Sequence, residues 1–211
     1  LCLKLFPWAN FRTHKGGIKI HTLYDVETQV PTFIHITEAK INDVKAMDVI
    51  PYESGSFYVF DRANDYHRLY KIHMMDVRAK TNIKAKVLKW KRRLPKNIQS
   101  DCEIELTGFY TQKSYPETIR LVRFWDEEDE REFIYLTNAK HIQALQVAEL
   151  YKNRWQVELF FKWLKQHLKI KKFWGTSENA VKIQVYSAII AYCLVAIMQH
   201  DMKLDRSTYE V

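Results

Sequence analysis

Glycine, proline and cysteine are all scarce in this chain of 211 residues. Five glycines and five prolines are too few for a low-complexity or collagen-like chain, and a hydrophobic content of 47% argues against disorder. The three cysteines, at positions 2, 102 and 193, are widely spaced and form no C-x2-C pair, so the sequence predicts neither a zinc site nor a disulfide scaffold. We expect a folded, cytoplasmic protein that keeps its cysteines reduced.

Long apolar runs are missing as well. The longest run, residues 183–198, falls short of the roughly 20 residues that a membrane-spanning helix needs, and it contains Gln184, Tyr186 and Ser187. We interpret it as a buried helix and expect no membrane partner. The sequence has no secretory signal and no initiator Met, and we expect it to be part of a longer protein.

Acidic residues are the minority among the charges. Lysine and arginine number 33 against 25 aspartates and glutamates, which leaves a net charge of +8, and aromatic residues make up 14%. An excess of cations with interleaved aromatic residues favours a nucleic-acid partner, although many globular proteins are equally basic. The densest basic stretch is residues 84–96, KAKVLKWKRRLPK.

Periodicity predicts a mixed α/β sheet. Strand-like segments lie at 18–26, 30–37, 57–60 and 74–80, and helix-like segments lie between them at 42–50 and 64–75. Asn42 is a possible N-cap of the first helix, and Asn64 or Asp65 of the second. Residues 83–130 alternate like further strands, and we interpret them as a β-rich insertion before the last core elements.

Residues 151–172, YKNRWQVELFFKWLKQHLKIKK, contain no Gly or Pro and predict one continuous helix. On such a helix four residues would fall within roughly 60° of one another: Tyr151, Arg154, Glu158 and Lys165. Lys162 and Lys169 would lie on or beside this stripe. The sequence thus predicts a carboxylate inside a basic stripe on a helix that is otherwise suited to burial.

Two interpretations of Glu158 are open from the residues alone. It can form ordinary i,i+4 ion pairs with Arg154 and Lys162 on a solvated helix face. It can also hold a divalent metal ion, with the neighbouring cations contacting a phosphate backbone.

The spacing Y-x2-R-x3-E-x6-K from Tyr151 to Lys165 closely resembles the signature of DDE transposases of bacterial insertion sequences. A glycine-containing break at 173–177 and a second apolar helix follow it, as in that family. The resemblance implies an α/β, ribonuclease-H-like mixed sheet flanked by helices, with a β-rich insertion before the last catalytic helix. It further implies a core in two parts, 1–82 and 131–211, with the insertion at 83–130.

A second acid supports the resemblance. The apolar strand 57–60, FYVF, is followed by Asp61 and Arg62, and α/β folds place catalytic groups at the carboxyl end of such buried parallel strands. Asp61 resembles the second acidic position of the family, although Ala63 replaces the usual Gly. The alternative is that Asp61 is a helix N-cap or turn residue. Residues 15–25, KGGIKIHTLYD, and 36–43, ITEAKIND, also resemble the family's middle block.

The resemblance implies a site and its partners. Asp61 and Glu158 would be catalytic metal ligands for Mg²⁺, with Mn²⁺ able to substitute. Contacts to double-stranded DNA would come from six residues: Tyr151, Arg154, Lys165, Lys162, Lys169 and Arg62. That DNA would be the terminal inverted repeats of an element and its target, bound by a homodimer on paired ends in the bacterial cytoplasm, at the nucleoid.

The family's first Asp lies on a first strand that we expect upstream of Leu1. Asp25 and Asp43 are candidates for the third ligand only by default. We therefore expect these 211 residues alone to be inactive. Two alternatives remain: a catalytically inactive, decayed or domesticated remnant that still binds DNA, and a nuclease on the same scaffold. Metal dependence separates enzyme from remnant.

Overall fold

The computed structural model describes residues 2–3, 8–12, 15–62, 65–167 and 173–203. The chain folds into two compact units. We call Leu1–Pro51 with Trp155–Val211 the hairpin unit, and Tyr52–Arg154 the sheet unit. Within the described residues, ten strands and six helices follow one another: β1 (Cys2–Leu3), β2 (Asn10–Arg12), β3 (Lys15–Asp25), β4 (Val30–Glu38), α1 (Asp43–Ala46), β5 (Tyr58–Phe60), α2 (Tyr66–Tyr70), β6 (Met75–Arg78), β7 (Ala85–Trp90), β8 (Ile98–Leu106), α3 (Phe109–Ser114), β9 (Ile119–Asp126), β10 (Arg131–Thr137), α4 (Ala144–Lys152), α5 (Trp155–His167) and α6 (Glu178–Asp201).

The hairpin unit is built on the long antiparallel pair β3–β4, with β1 and β2 added at the start of β3. The expected hairpin is confirmed, and its turn is closed by Gln29 at a positive φ of 56°. After β4 the side chain of Asn42 accepts a hydrogen bond from the Val44 N–H, so the expected N-cap of α1 is also confirmed. These local signals depend on neighbouring residues only, which is why the sequence shows them.

The core of the hairpin unit combines three buried aromatic side chains with a larger set of aliphatic ones. The helix α5 buries Phe160, Trp163 and Leu164, whose spacing places them on one face. The ring of Tyr192 on α6 meets Phe160 and Trp163 edge-on at 4.8 and 5.1 Å, and its hydroxyl lies 2.8 Å from that of Tyr24 on β3. Strand, helix and helix are therefore held by one continuous cluster.

The sheet unit contains a six-stranded sheet in the order β5-β6-β10-β9-β8-β7. Only β5 and β6 run parallel, and the other neighbours are antiparallel. Strands β7, β8 and β9, which lie inside the expected insertion, extend the same sheet as β5, β6 and β10. The sheet is mixed and helix-flanked, as the resemblance implies, whereas the domain boundaries at 83 and 130 stay a prediction.

A buried ion pair joins two strands of the sheet unit to a loop. Arg120 on β9 donates to both carboxylate oxygens of Asp101 on β8, at 2.8 and 2.7 Å, and both side chains are 4% exposed. The same guanidinium donates to the carbonyl oxygen of Ile142 at 2.6 Å, just before α4. Burial alone would raise the pKa of Asp101, but the hydrogen bonds and charge of Arg120 outweigh it and hold that pKa below its usual value.

The prediction of one helix over 151–172 is wrong. Helix α4 ends at Lys152, Asn153 caps it, and α5 begins at Trp155, while residues 168–172 lie outside the described residues. The N–H of Arg154 bonds to the Tyr151 carbonyl in a tightened last turn. Asparagine is a poor interior helix residue and a good cap, and apolar periodicity continues across such a break without showing it. Tyr151 and Arg154 are thus not on the helix that carries Glu158 and Lys165.

Other elements are shorter or differently placed than expected. The helix expected over 64–75 is shorter, since α2 ends at Tyr70 and Met75 already starts β6. The N-cap of α2 is Asp65, as expected. The segment at 109–110, expected to end a strand, starts α3. The apolar run 183–198 lies in α6, but only one face of that helix is buried, and Ile183, Ile190 and Leu194 are each more than half exposed.

Helix α6 is long and apolar enough to cross a membrane by length and composition alone. A third of its most apolar window is buried inside the protein. One such helix is weak evidence for a membrane span, because core helices of soluble proteins pass the same test.

Candidate functional site

Asp61 lies directly after β5 and is the centre of a cluster of donors in the sheet unit. The hydroxyl of Tyr151 donates to its Oδ1 at 3.2 Å and lies 3.1 Å from its backbone carbonyl oxygen. Nη2 of Arg78 donates to the same Oδ1 at 3.2 Å, and Nε of Arg154 lies 3.8 Å from it. The side chain of Asp61 is 56% exposed. One carboxylate oxygen therefore faces a hydroxyl and two guanidinium groups.

The helix-cap interpretation of Asp61 is wrong. The N-cap of α2 is Asp65, whose side chain accepts a hydrogen bond from the Arg68 N–H at 2.9 Å. Arg68 also donates to the other oxygen of Asp65 at 2.6 Å. Asp61 lies four residues before this cap, in a bend after the strand, and its contacts are with the cluster.

Tyr151 is held firmly at the end of α4. Its side chain is buried, and its ring packs against those of Tyr135 and Phe133 on β10, with centroids 4.8 and 6.3 Å apart. The guanidinium of Arg154 lies over its ring at 5.8 Å. Burial raises the pKa of Tyr151 to about 12, so the hydroxyl stays protonated and donates to Asp61 at neutral pH.

Arg78 is a member of the cluster that sequence reasoning missed. Strands β5 and β6 are parallel with Phe60 opposite Val77, so Asp61 and Arg78 each follow a paired residue and lie side by side. A charged residue at the end of each of two neighbouring parallel strands was the available signal. Using it required the register between the strands, which the sequence does not show.

Asp76 is a second residue that sequence reasoning missed. It lies on β6 two residues before Arg78, is 0% exposed, and neither carboxyl oxygen has a hydrogen-bond partner among the described residues. Burial raises the pKa of Asp76 well above its ordinary value, opposed only by the Val77 N–H. A buried acid with a raised pKa therefore lies on the same strand as Arg78.

Glu158 belongs to the hairpin unit, where it is exposed in the first turn of α5. A carboxylate is favoured there because the helix dipole places partial positive charge at the N-terminus. Lys162 and Lys165 are exposed one and two turns further along the same side, and Lys169 lies outside the described residues. Arg62 is exposed in the sheet unit, next to Asp61. Of the expected site residues, the structure thus brings together Asp61, Tyr151 and Arg154.

Carboxylate oxygens are the ligand type that Mg²⁺ prefers, and both Asp61 and Glu158 expose theirs to solvent. The described parts of the chain contain no group of three or more His, Cys, Asp or Glu residues that could hold a metal ion together. The donor type of these two residues therefore fits a hard divalent cation, as part of a ligand set.

Comparison with known proteins gives a matching family of domains and several individual relatives. Residues 7–194 match the family described as transposase DDE domain, whose members generally use divalent metal ions. The chain is 32% identical over 230 aligned residues to putative transposase y4zB of Sinorhizobium fredii, covering 99% of the chain and 60% of that protein. It is 31% identical over 211 residues to a probable transposase for insertion sequence element IS5377 of Geobacillus stearothermophilus, covering 93% and 53%.

A shorter match, 42% identical over 77 residues, is to a putative transposase for insertion sequence element IS4SA of Synechocystis. The chain spans between half and two thirds of the length of the first two relatives. No solved structure matches.

Proposed function

This chain belongs to the family of DDE transposase domains, and we propose that it is the catalytic part of a transposase that cuts DNA at element ends and joins them to a target. The observation that carries the proposal is the cluster at Asp61. Tyr151 and Arg154, the first two residues of the Y-x2-R-x3-E-x6-K spacing, both contact the acid that follows β5. The acid at the end of an apolar strand and the signature spacing are separate features of the sequence, and they meet at one carboxylate.

Asp61 and Glu158 are the proposed ligands of Mg²⁺, for which Mn²⁺ can substitute. Divalent ions, when bound, supply charge that stabilises the attacking and leaving oxygens of an in-line phosphoryl transfer. The family resemblance implies a third carboxylate in this ligand set. Neither Asp25 nor Asp43 is proposed for that role.

The donors around Asp61 position its carboxylate. All three face Oδ1, which leaves Oδ2 as the proposed ligand atom. Tyr151 contributes a hydrogen bond that does not titrate near neutral pH, and Arg78 and Arg154 place two guanidinium groups beside the same oxygen. The two guanidinium groups also offer positive charge to a phosphate that approaches the carboxylate.

Double-stranded DNA is the proposed partner, first as the terminal inverted repeats and then as the target. The exposed cations Arg62, Lys162 and Lys165, together with Lys169, would contact its phosphates. A homodimer on paired ends, acting in the bacterial cytoplasm at the nucleoid, is the proposed assembly. The proposed domains of the chain are a core in two parts, 1–82 and 131–211, and the β-rich insertion 83–130.

The test uses the parent protein with a duplex that carries an element end. Asp61→Asn and Glu158→Gln should each abolish Mg²⁺-dependent cleavage and leave duplex binding within about twofold, because the amides keep shape and lose the anionic ligand. Asp201→Asn, an exposed acid on α6, is the matched control and should cut normally.

Three other results would point elsewhere. Absence of Mg²⁺-dependent cleavage in the unchanged parent protein, with duplex binding intact, would favour the DNA-binding remnant. Cleavage that ignores the element ends would favour a nuclease on the same scaffold. Cleavage that survives both amide substitutions would overturn the assignment of Asp61 and Glu158.

A further inference from the structure

A cleft of about 350 Å³ lies in the hairpin unit, beside α5. It is lined by residues of β3, including Lys19 and His21, by Asp43 at the start of α1, and by Phe161 and Lys165 of α5. The residues of β3 and α1 come from the two segments, 15–25 and 36–43, that have no role in the proposed function. The structure therefore brings both segments to one place, next to Lys165.

Asp43 covers the cationic wall of this cleft. Its Oδ1 lies 3.1 Å from Nζ of Lys19 and 3.7 Å from Nδ1 of His21. The Asp43 side chain is 75% exposed, whereas those of Lys19 and His21 are 33% and 10% exposed. An ion pair whose carboxylate is this exposed to water contributes little to stability. A stronger anion that enters the cleft can therefore displace the carboxylate at small cost.

His21 has a defined orientation in the cleft. The Thr37 hydroxyl donates to the Glu38 carbonyl oxygen at 3.2 Å, so its oxygen is free to accept from Nε2 of His21 at 2.9 Å. Nε2 then carries the proton, and Nδ1 is the nitrogen that faces Asp43. Burial lowers the pKa of His21, with Asp43 opposing and the neighbouring His35 and Lys19 adding to the decrease. An anion close to Nδ1 favours the protonated form of the imidazole.

We propose that this cleft binds one backbone phosphate of DNA, held by Lys19 and Lys165 with the protonated Nδ1 of His21, while Asp43 occupies the phosphate position when DNA is absent. The proposal rests on the proposed function, since it assumes a DNA partner. Two lysines and an imidazole against one displaceable carboxylate leave the cleft positively charged, and such a cleft attracts a phosphodiester.

The position of Lys165 on α5 gives the distance between the cleft and Glu158, a proposed metal ligand. Lys165 lies two helical turns from Glu158, which is about 10.5 Å along the axis of α5. Phosphates of one DNA strand follow each other with a rise of about 3.4 Å along the duplex axis. Because this separation is larger than that rise, the cleft can hold a different phosphate from one at Glu158.

The test measures binding of a short duplex to the 211-residue chain by fluorescence anisotropy at several salt concentrations. Lys19→Gln should weaken binding and reduce the slope of log K against log salt by about 1, as expected for one lost phosphate contact. Asp43→Asn should have the opposite sign and tighten binding about threefold or more at low salt, because it removes the competing anion. Lys182→Gln is the matched control: this lysine pairs with Glu178 on α6, outside the cleft, and its loss should leave affinity within twofold.

The opposite effects of Lys19→Gln and Asp43→Asn on duplex affinity distinguish phosphate binding from a purely structural role. Lys19 also donates to the Ile41 carbonyl oxygen at 2.7 Å, so it can simply anchor the segment before α1. In that case Lys19→Gln and Asp43→Asn would both lower the melting temperature, and Asp43→Asn would not tighten binding. That result would overturn the proposal.

Failure of this proposal is distinguishable from failure of the proposed function. A chain that binds no duplex at low salt contradicts both. A chain that binds DNA through Lys165, as shown by weakening in Lys165→Gln, but is unchanged by Lys19→Gln and Asp43→Asn contradicts the cleft alone. As a direct readout, the pKa of His21 followed by NMR should rise when the duplex is added.

Discussion

The two units hold their charged residues in opposite ways. In the sheet unit, Asp101 and Arg120 are 4% exposed and joined by two hydrogen bonds, and Asp61 is contacted by Tyr151 and two arginines. In the hairpin unit the interior is apolar, and the charges of Asp43, Glu158 and Lys165 are exposed. Charge fixes geometry in the first case and remains available for exchange with a ligand in the second. A site for phosphoryl transfer needs both: a carboxylate held still and cations that can take up phosphates.

Breaking the buried ion pair should have the largest effect. Arg120→Met leaves Asp101 buried without its main partner, and we expect the free energy of unfolding to fall by about 3–5 kcal/mol. Urea denaturation followed by tryptophan fluorescence measures it. Arg123→Met is the control on the same strand, because Arg123 makes only a half-exposed pair with Glu132 and should cost less than about 1 kcal/mol. Equal losses in the two variants would mean that burial of the pair does not matter.

Substitution of the buried Asp76 should stabilise the protein, whereas substitution of Arg120 should destabilise it. Below the ordinary Asp pKa of 3.8 the carboxyl is protonated in both folded and unfolded chains, so its ionisation costs no stability there. Above that pH unfolding releases a proton, and stability is lost as pH rises through the raised folded pKa. Asp76→Asn should therefore raise the melting temperature at pH 7, with a gain that shrinks toward pH 4. Asp201→Asn, exposed on α6, should show no such pH-dependent gain. A gain that is the same at both pH values would contradict the burial argument.

Tyr151→Phe tests how firmly the sheet unit holds its acid. The ring still packs against Tyr135, so the expected loss of about 1 kcal/mol in unfolding free energy comes from the hydrogen bond to Asp61 alone. In the parent protein, cleavage should fall more than duplex binding, since only the orientation of the carboxylate changes. Tyr186→Phe, at an exposed site on α6, serves as control. Unchanged cleavage in Tyr151→Phe would remove the positioning role.

The sequence predicted features that depend on short stretches of chain. Asp61 after an apolar parallel strand, the hairpin of β3 and β4, and the caps Asn42 and Asp65 all follow from local residue chemistry. The resemblance added the family and named Asp61, Tyr151 and Arg154 as site residues, whereas their contacts with one another come from the structure. Each of these rests on signals within about ten residues or on a recognised motif.

What could not be predicted depends on contacts between distant segments. Arg78 joins Asp61 only through the register of β5 on β6, and apolar periodicity runs through the break between α4 and α5 as if it were one helix. Helix α6 has apolar residues on all sides, so its sequence does not indicate which face the hairpin unit buries. The burial of Asp76 has no sequence signal at all, because an acid inside a strand is normally placed at the surface.

The smallest effect on stability is expected for Asp43→Asn, and this variant gives the sharpest test of the difference between the two units. Asp43→Asn removes the anion that faces Lys19 and His21, yet that carboxylate is largely exposed, and the free energy of unfolding should change by less than about 0.5 kcal/mol. The same class of change at Asp101, to Asn, leaves Arg120 buried without a full countercharge and should cost several times more. Urea midpoints of the two variants measured side by side decide this. If Asp43→Asn cost as much as Asp101→Asn, the charges of the hairpin unit would be structural, and the distinction between fixed and exchangeable charge would fail.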